Sequence, residues 1–65
     1  MYTHEIIETI ENGNGILTQE QYMDICNNSP QITNIYVDPE HCTEFNCFAI
    51  KCVDFEEEIK FKVVA

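Results

Sequence analysis

The apolar residues keep a helical period up to Pro30 and an alternating one after it, so the chain reads as two helices followed by strands. Ile6, Ile7 and Ile10 fall on one face of a helix predicted from Thr3, its cap, to about Asn12, while Glu5, Glu8 and Glu11 share another face. Asn12-Gly13-Asn14-Gly15 ends that helix, because Gly and Asn tolerate the left-handed conformation common at helix C-termini. Thr18-Gln19-Glu20-Gln21 fits a capping box and opens a second helix, with Tyr22, Met23, Ile25 and Cys26 as its apolar positions. It should stop near Asn28, ahead of Ser29-Pro30.

Gln31 to Val37 is rich in β-branched and aromatic residues and predicts a strand. Asp38-Pro39-Glu40-His41-Cys42 is a turn-rich connection. A second strand is predicted over Glu44 to Val53, with Phe48, Ile50 and Cys52 on one face and Phe45, Cys47, Ala49 and Val53 on the other. Apolar residues on both faces mark a central strand. From Ile59 to Val64 the residues Ile59, Phe61 and Val63 alternate with Glu58, Lys60 and Lys62, a third strand with one wet face. The connections are short, so the pattern predicts an α+β domain over 1–65, an ααβββ chain whose two helices pack on a three-stranded antiparallel meander. Two helices shield only one face of such a sheet. Phe45, Cys47 and Ala49 are left without cover and form the candidate face for a homodimer or for an adaptor that works through an apolar strand surface.

Charge changes the picture more than composition does. The 65 residues carry twelve Asp and Glu against three Lys and no Arg, a formal net charge of -9. Direct nucleic-acid binding draws on clustered Lys and Arg, and anionic membranes repel such a chain, so both are disfavoured as partners. A basic protein surface is the natural partner, such as that of a protein whose own ligand is nucleic acid. A chain of this length buries only roughly 60% of its unfolded surface, which raises the question of a staple, a metal or a second subunit. The N-terminal residues show neither a basic n-region nor an apolar run before a cleavage site, and no stretch is long enough to span a bilayer, so a cytoplasmic chain with reduced thiols is expected.

Candidate chemistry is thin. Asn12 to Thr18 resembles the middle of an EF-hand loop, but its first and twelfth ligand positions fall on Ile10 and Gln21, which leaves out the two most important carboxylates. His41, Cys42, Cys47 and Cys52 have the residue types of a zinc site without any Cys-x-x-Cys spacing, and Cys47 and Cys52 point to opposite faces of one predicted strand. His4 and His41 are the only imidazoles, and His41-Cys42 are adjacent in sequence, which sends their side chains apart. The expectation is a non-enzymatic protein with no metal and no cofactor.

What remains is the arrangement of acids. Glu5, Glu8 and Glu11 advance along the first helix by about 4.5 Å each. Glu56 and Glu58 share one face near the last strand at about 6.6 Å, with Asp54 beyond and Glu57 in the same run. Asp38, Glu40 and Glu44 cluster around the connection between the first two strands. Such rows can stand in for phosphates along a nucleic-acid strand. In size, charge and compact α/β layout the chain resembles the small acidic phage and mobile-element proteins that block bacterial defence nucleases, anti-CRISPR inhibitors among them. That resemblance implies a stoichiometric inhibitor in the bacterial host cytoplasm, a nucleic-acid mimic that occupies a basic channel of an effector such as a CRISPR effector. Asp54, Glu56, Glu57 and Glu58, with Asp38, Glu40 and Glu44, are the candidate surrogates.

Overall fold

A computed structural model of the chain describes residues 1–37 and 45–64. Helix α1 (Thr3–Asn12) is entered through Tyr2, whose backbone N–H donates to the Glu5 carboxylate, so one otherwise unpaired amide at the helix start is satisfied by a side chain. Thr3, expected as the cap, is instead the first helical residue and is buried. A two-residue strand β1 (Ile16–Leu17) follows, then α2 (Gln19–Asn27), then β2 (Ile32–Val37), β3 (Phe45–Cys52) and β4 (Phe55–Val64). The capping box at the start of α2 forms as its sequence predicts: Gln21 N–H donates to Thr18 Oγ1 at 3.1 Å, and Thr18 N–H donates to Gln21 Oε1 at 2.9 Å.

The sheet has four strands in the order β1-β4-β3-β2 and is mixed. This corrects the three-stranded meander: β2, β3 and β4 are antiparallel neighbours, but β1 adds a fourth strand that runs parallel to β4. Two residues are too few to display an alternating period, and β1 lies between Gly13-Asn14-Gly15 and the cap of α2, where turn signals dominate. Asn14 and Gly15 take positive φ values of 55° and 83°, which reverse the chain and aim Gly15 C=O at the Lys62 N–H, 2.8 Å away. Leu17 then lies opposite Val63 with no exposed surface. β4 also begins four residues earlier than the alternation suggested. Val53-Asp54 forms a two-residue turn, Cys52 lies opposite Phe55, and the run Glu56-Glu57-Glu58 is strand.

Both helices lie on one face of the sheet. The core between them contains Ile6, Ile10, Leu17, Ile25, Ile50, Cys52, Ile59, Phe61 and Val63, with Phe48, Phe55 and Tyr22 packed against it. Tyr22 from α2 stacks on Phe48 with ring centres 4.7 Å apart, and Phe48 stacks on Phe61 at 5.9 Å across the β3–β4 pair. Burial of these rings and branched aliphatics, each contributing about 1.5–3 kcal/mol, is the main force holding α2 on the sheet. The register places Phe48 opposite Phe61 and Ile50 opposite Ile59, so even-numbered residues of β3 and odd-numbered residues of β4 make the covered face. No helix among the described residues is long and apolar enough to cross a membrane.

Candidate binding surfaces

The open face of the sheet follows from that register. Alternation along β4 puts Lys60, Lys62 and Val64 on it, with Glu58 beside them, and alternation along β3 adds Phe45, Cys47, Ala49 and Lys51; Glu56, Glu57 and Glu58 fall where the β3–β4 register shifts, between Ile50 and Cys52. β2 contributes Asn34 and Tyr36, which lie opposite Lys51 and Ala49. Tyr36, Ala49 and Lys60 therefore form one cross-strand row with the smallest residue in its middle. The depression over Ala49 widens into a groove of about 630 Å³, bounded also by Cys47, Lys62 and the Asn14–Ile16 turn. Lys62 Nζ lies over the Phe45 ring, 5.9 Å from its centre, close enough for a cation–π attraction.

The residues proposed as a dimer face, Phe45, Cys47 and Ala49, thus share the open face and are half-buried there. Cys47 is on the open side and Cys52 in the core. Among the described residues no group of three or more His, Cys, Asp or Glu side chains is placed to hold a metal ion. His41 and Cys42 lie outside the described residues, as do the carboxylates Asp38, Glu40 and Glu44.

The remaining candidate carboxylates do not share one surface. Asp54 is in the β3–β4 turn and accepts a 2.7 Å hydrogen bond from the Thr3 hydroxyl. Glu57 points to the helix side, beside Ile7, Ile10 and Glu11 in a crease between α1 and β4. Glu58 borders the open-face groove with Lys60 and Lys62 and, with Lys60, also the crease beside α1, while Glu56 lies in the irregular stretch where the β3–β4 register shifts.

The distribution of charge is the feature that sequence reading missed. All three lysines, Lys51, Lys60 and Lys62, lie on the open face. Nine of the twelve carboxylates are among the described residues; Glu58 borders the open-face groove with Lys60 and Lys62, and Glu56 lies near it in the irregular stretch of β4. The other seven are on the helix side: Glu5, Glu8 and Glu11 on α1, Glu20 and Asp24 on α2, Asp54 in the turn and Glu57 on the inner side of β4. No family model, curated protein or solved structure matches the chain. The asymmetry of charge between the two sides is then the strongest functional signal in the molecule. The signal was present in the sequence as the alternation of Glu58, Lys60 and Lys62 with apolar residues, but it acquires meaning only when Lys51 is brought beside them by the sheet register.

Proposed function

We propose that the protein is a non-catalytic binding module that occupies a cationic surface of a nucleic-acid-binding protein, such as a bacterial defence nuclease, and excludes the nucleic acid. The observation that carries this reading is the helix side, which has seven of the nine described carboxylates and on which only Lys60, at the crease bordered by Glu11 and Glu57, brings a positive charge near them. Glu5, Glu8 and Glu11 are exposed along α1, and Glu20 and Asp24 are exposed along α2. Arg and Lys supplied by the partner offset the cost of desolvating such a surface, and the long-range field accelerates encounter with a basic channel. Asp38, Glu40 and Glu44, outside the described residues, add to the net negative charge of the chain. In this reading Glu57 joins the helix side, and Asp54 holds the hairpin and α1 together.

The test is binding to captured bacterial nucleic-acid-binding proteins with and without duplex DNA or RNA as competitor. Binding that nucleic acid competes away, that weakens steeply with salt, and that is lost on changing Glu5, Glu8 and Glu11 together to Gln supports the reading. Binding that is indifferent to salt, or unchanged in that triple variant and in a Glu20→Gln/Asp24→Asn variant, removes it.

A further inference from the structure

The groove over Ala49, about 630 Å³, has the size of a small-molecule site, and like such sites it combines apolar walls with a few charged groups. Two of the three lysines in the chain, Lys60 and Lys62, stand along it. We propose that the groove binds a small organic anion with a flat apolar body, an aromatic carboxylate, sulfonate or phosphate ester. The charged group meets Lys62 and Lys60, and the body lies over Ala49 against the Tyr36 ring.

The strands are regularly paired at this seat. Cys47 is opposite Lys62 and Ala49 opposite Lys60, and the register shifts only beyond Ile50. Lys60 and Lys62 leave the same face of β4 about 6.6 Å apart, a spacing that two long side chains close around one anionic group. Across the strands Tyr36, Ala49 and Lys60 are successive partners, so about 9–10 Å separates the ring from the lysine with only a methyl group between them. The ring is held as a wall, because Asn34 Nδ2 donates to its hydroxyl at 3.0 Å. A flat body stacks against such a wall better than a branched one does. Glu58 borders the groove as well, but it is four residues along the strand from Lys62, about 13 Å, so the charged end is seated away from it. Lys60 and Glu58 also border the crease beside α1, which leaves Lys62 as the principal contact. The chain as a whole, with its formal charge of -9, attracts cations. A preference for an anion must therefore come from the groove itself, and the sign of the preferred ligand is diagnostic.

The site is on the side of the sheet away from the helices and does not depend on what their acids bind. Heteronuclear NMR of the full chain, titrated with naphthalenesulfonate and separately with naphthylmethylammonium, tests it. The sulfonate should move the amide signals of Cys47, Ala49, Lys60 and Lys62 saturably and bind at least about tenfold more tightly than the cation. Naphthoate or naphthyl phosphate binding at the same signals supports the proposal equally, and the tighter of the two assigns the anionic group. Lys62→Gln should weaken the sulfonate about threefold or more, Lys60→Gln less, and Ala49→Leu should block it by filling the floor. Glu58→Gln should bind it more tightly than the parent, a gain that a damaged fold does not produce. Five outcomes overturn the proposal: a cation bound as tightly as the sulfonate, unchanged binding in Lys60→Gln/Lys62→Gln, no gain in Glu58→Gln, shifts confined to signals away from the groove, or no saturable shift at millimolar ligand.

Discussion

The Thr3 hydroxyl donates a 2.7 Å hydrogen bond to Asp54 Oδ1, which joins the first turn of α1 to the β3–β4 turn at the other end of the sequence. Gln31 adds to this junction: its side-chain amide donates to Met1 C=O at 2.6 Å, and its backbone C=O accepts from Val53 N–H at 2.9 Å. Thr3 is buried and its acceptor is a carboxylate oxygen, so the bond belongs to the stronger class of side-chain hydrogen bonds. Asp54→Ala should cost about 1–2 kcal/mol, since the buried hydroxyl loses the acceptor for its proton and keeps only the bond it accepts from Gln31 Nε2 at 3.3 Å. For a chain of this size that lowers the melting temperature by about 4–8 °C per kcal/mol, which calorimetry or circular dichroism reads. Thr3→Ser should lose less, because it keeps the donor. An Asp54→Ala variant with unchanged stability would return that carboxylate to the set of binding candidates.

Gly13 and Gly15 are both required, for different reasons. A Cβ on Gly13 would lie 2.3 Å from Ile16 C=O, which is rigid backbone, whereas a Cβ on Gly15 would meet nothing within 4 Å. Gly15 is constrained by its φ of 83° instead. Gly15→Ala should therefore cost about 1 kcal/mol, the usual left-handed penalty, and Gly13→Ala more, about 2 kcal/mol, because the turn must move. Denaturant titration of the two variants checks the order. The reverse order would mean that the turn into β1 is free to shift and that the Gly15–Lys62 bond is not fixing it.

Much of the fold was legible because the side-chain periods are strong. The three isoleucines of α1, the capping box at Thr18 and the alternation of Ile59, Phe61 and Val63 all place their elements correctly. The signals that failed are those in which a long-range contact outweighs a local preference. Thr3 has the chemistry of a cap, yet its hydroxyl goes to Asp54, a residue that local sequence cannot bring near it. Ile16-Leu17 has no period of its own and becomes a strand because β4 has a free edge. Glu56, Glu57 and Glu58 fall where the β3–β4 register shifts between Ile50 and Cys52, an irregularity that no local alternation announces. Lys51 and Lys60 are nine positions apart and on separate strands, and only the β3–β4 register shows that they share a face.

Tyr22 ties the stability of the domain to high pH. Burial against the sheet, followed by a hydrogen bond and charge repulsion involving Cys26, raises its phenol above the ordinary 10.0. The folded state therefore holds the phenolic proton more tightly than the unfolded state does. Its contribution is fully present below pH about 10 and is lost as pH rises from there through the folded value. Unfolding free energy measured across that window should fall with pH in the parent and fall less in Tyr22→Phe, which keeps the ring on Phe48 and Phe61. Equal slopes in the two proteins would show that the hydroxyl ionises as freely in the folded state as in the unfolded one.

Glu11 separates stability from binding. It is in the last turn of α1, where exposed carbonyls favour a cation, yet neither helix has a basic residue in its last turn. Glu8 is three residues away on the same exposed surface, a like-charge spacing that further weakens the helix. Glu11→Lys should accordingly raise stability by about 0.5–1 kcal/mol, through the helix dipole and the relief of repulsion. If the helix side meets a cationic partner, the same change should slow association and weaken binding, with most of the loss in the on-rate and at low salt. Denaturant midpoints and stopped-flow association with the captured partner read the two effects separately. A variant that is both more stable and an equally good binder would place the contact elsewhere. Stability gained at the expense of association would mean that α1 carries its acids for the partner and not for the fold.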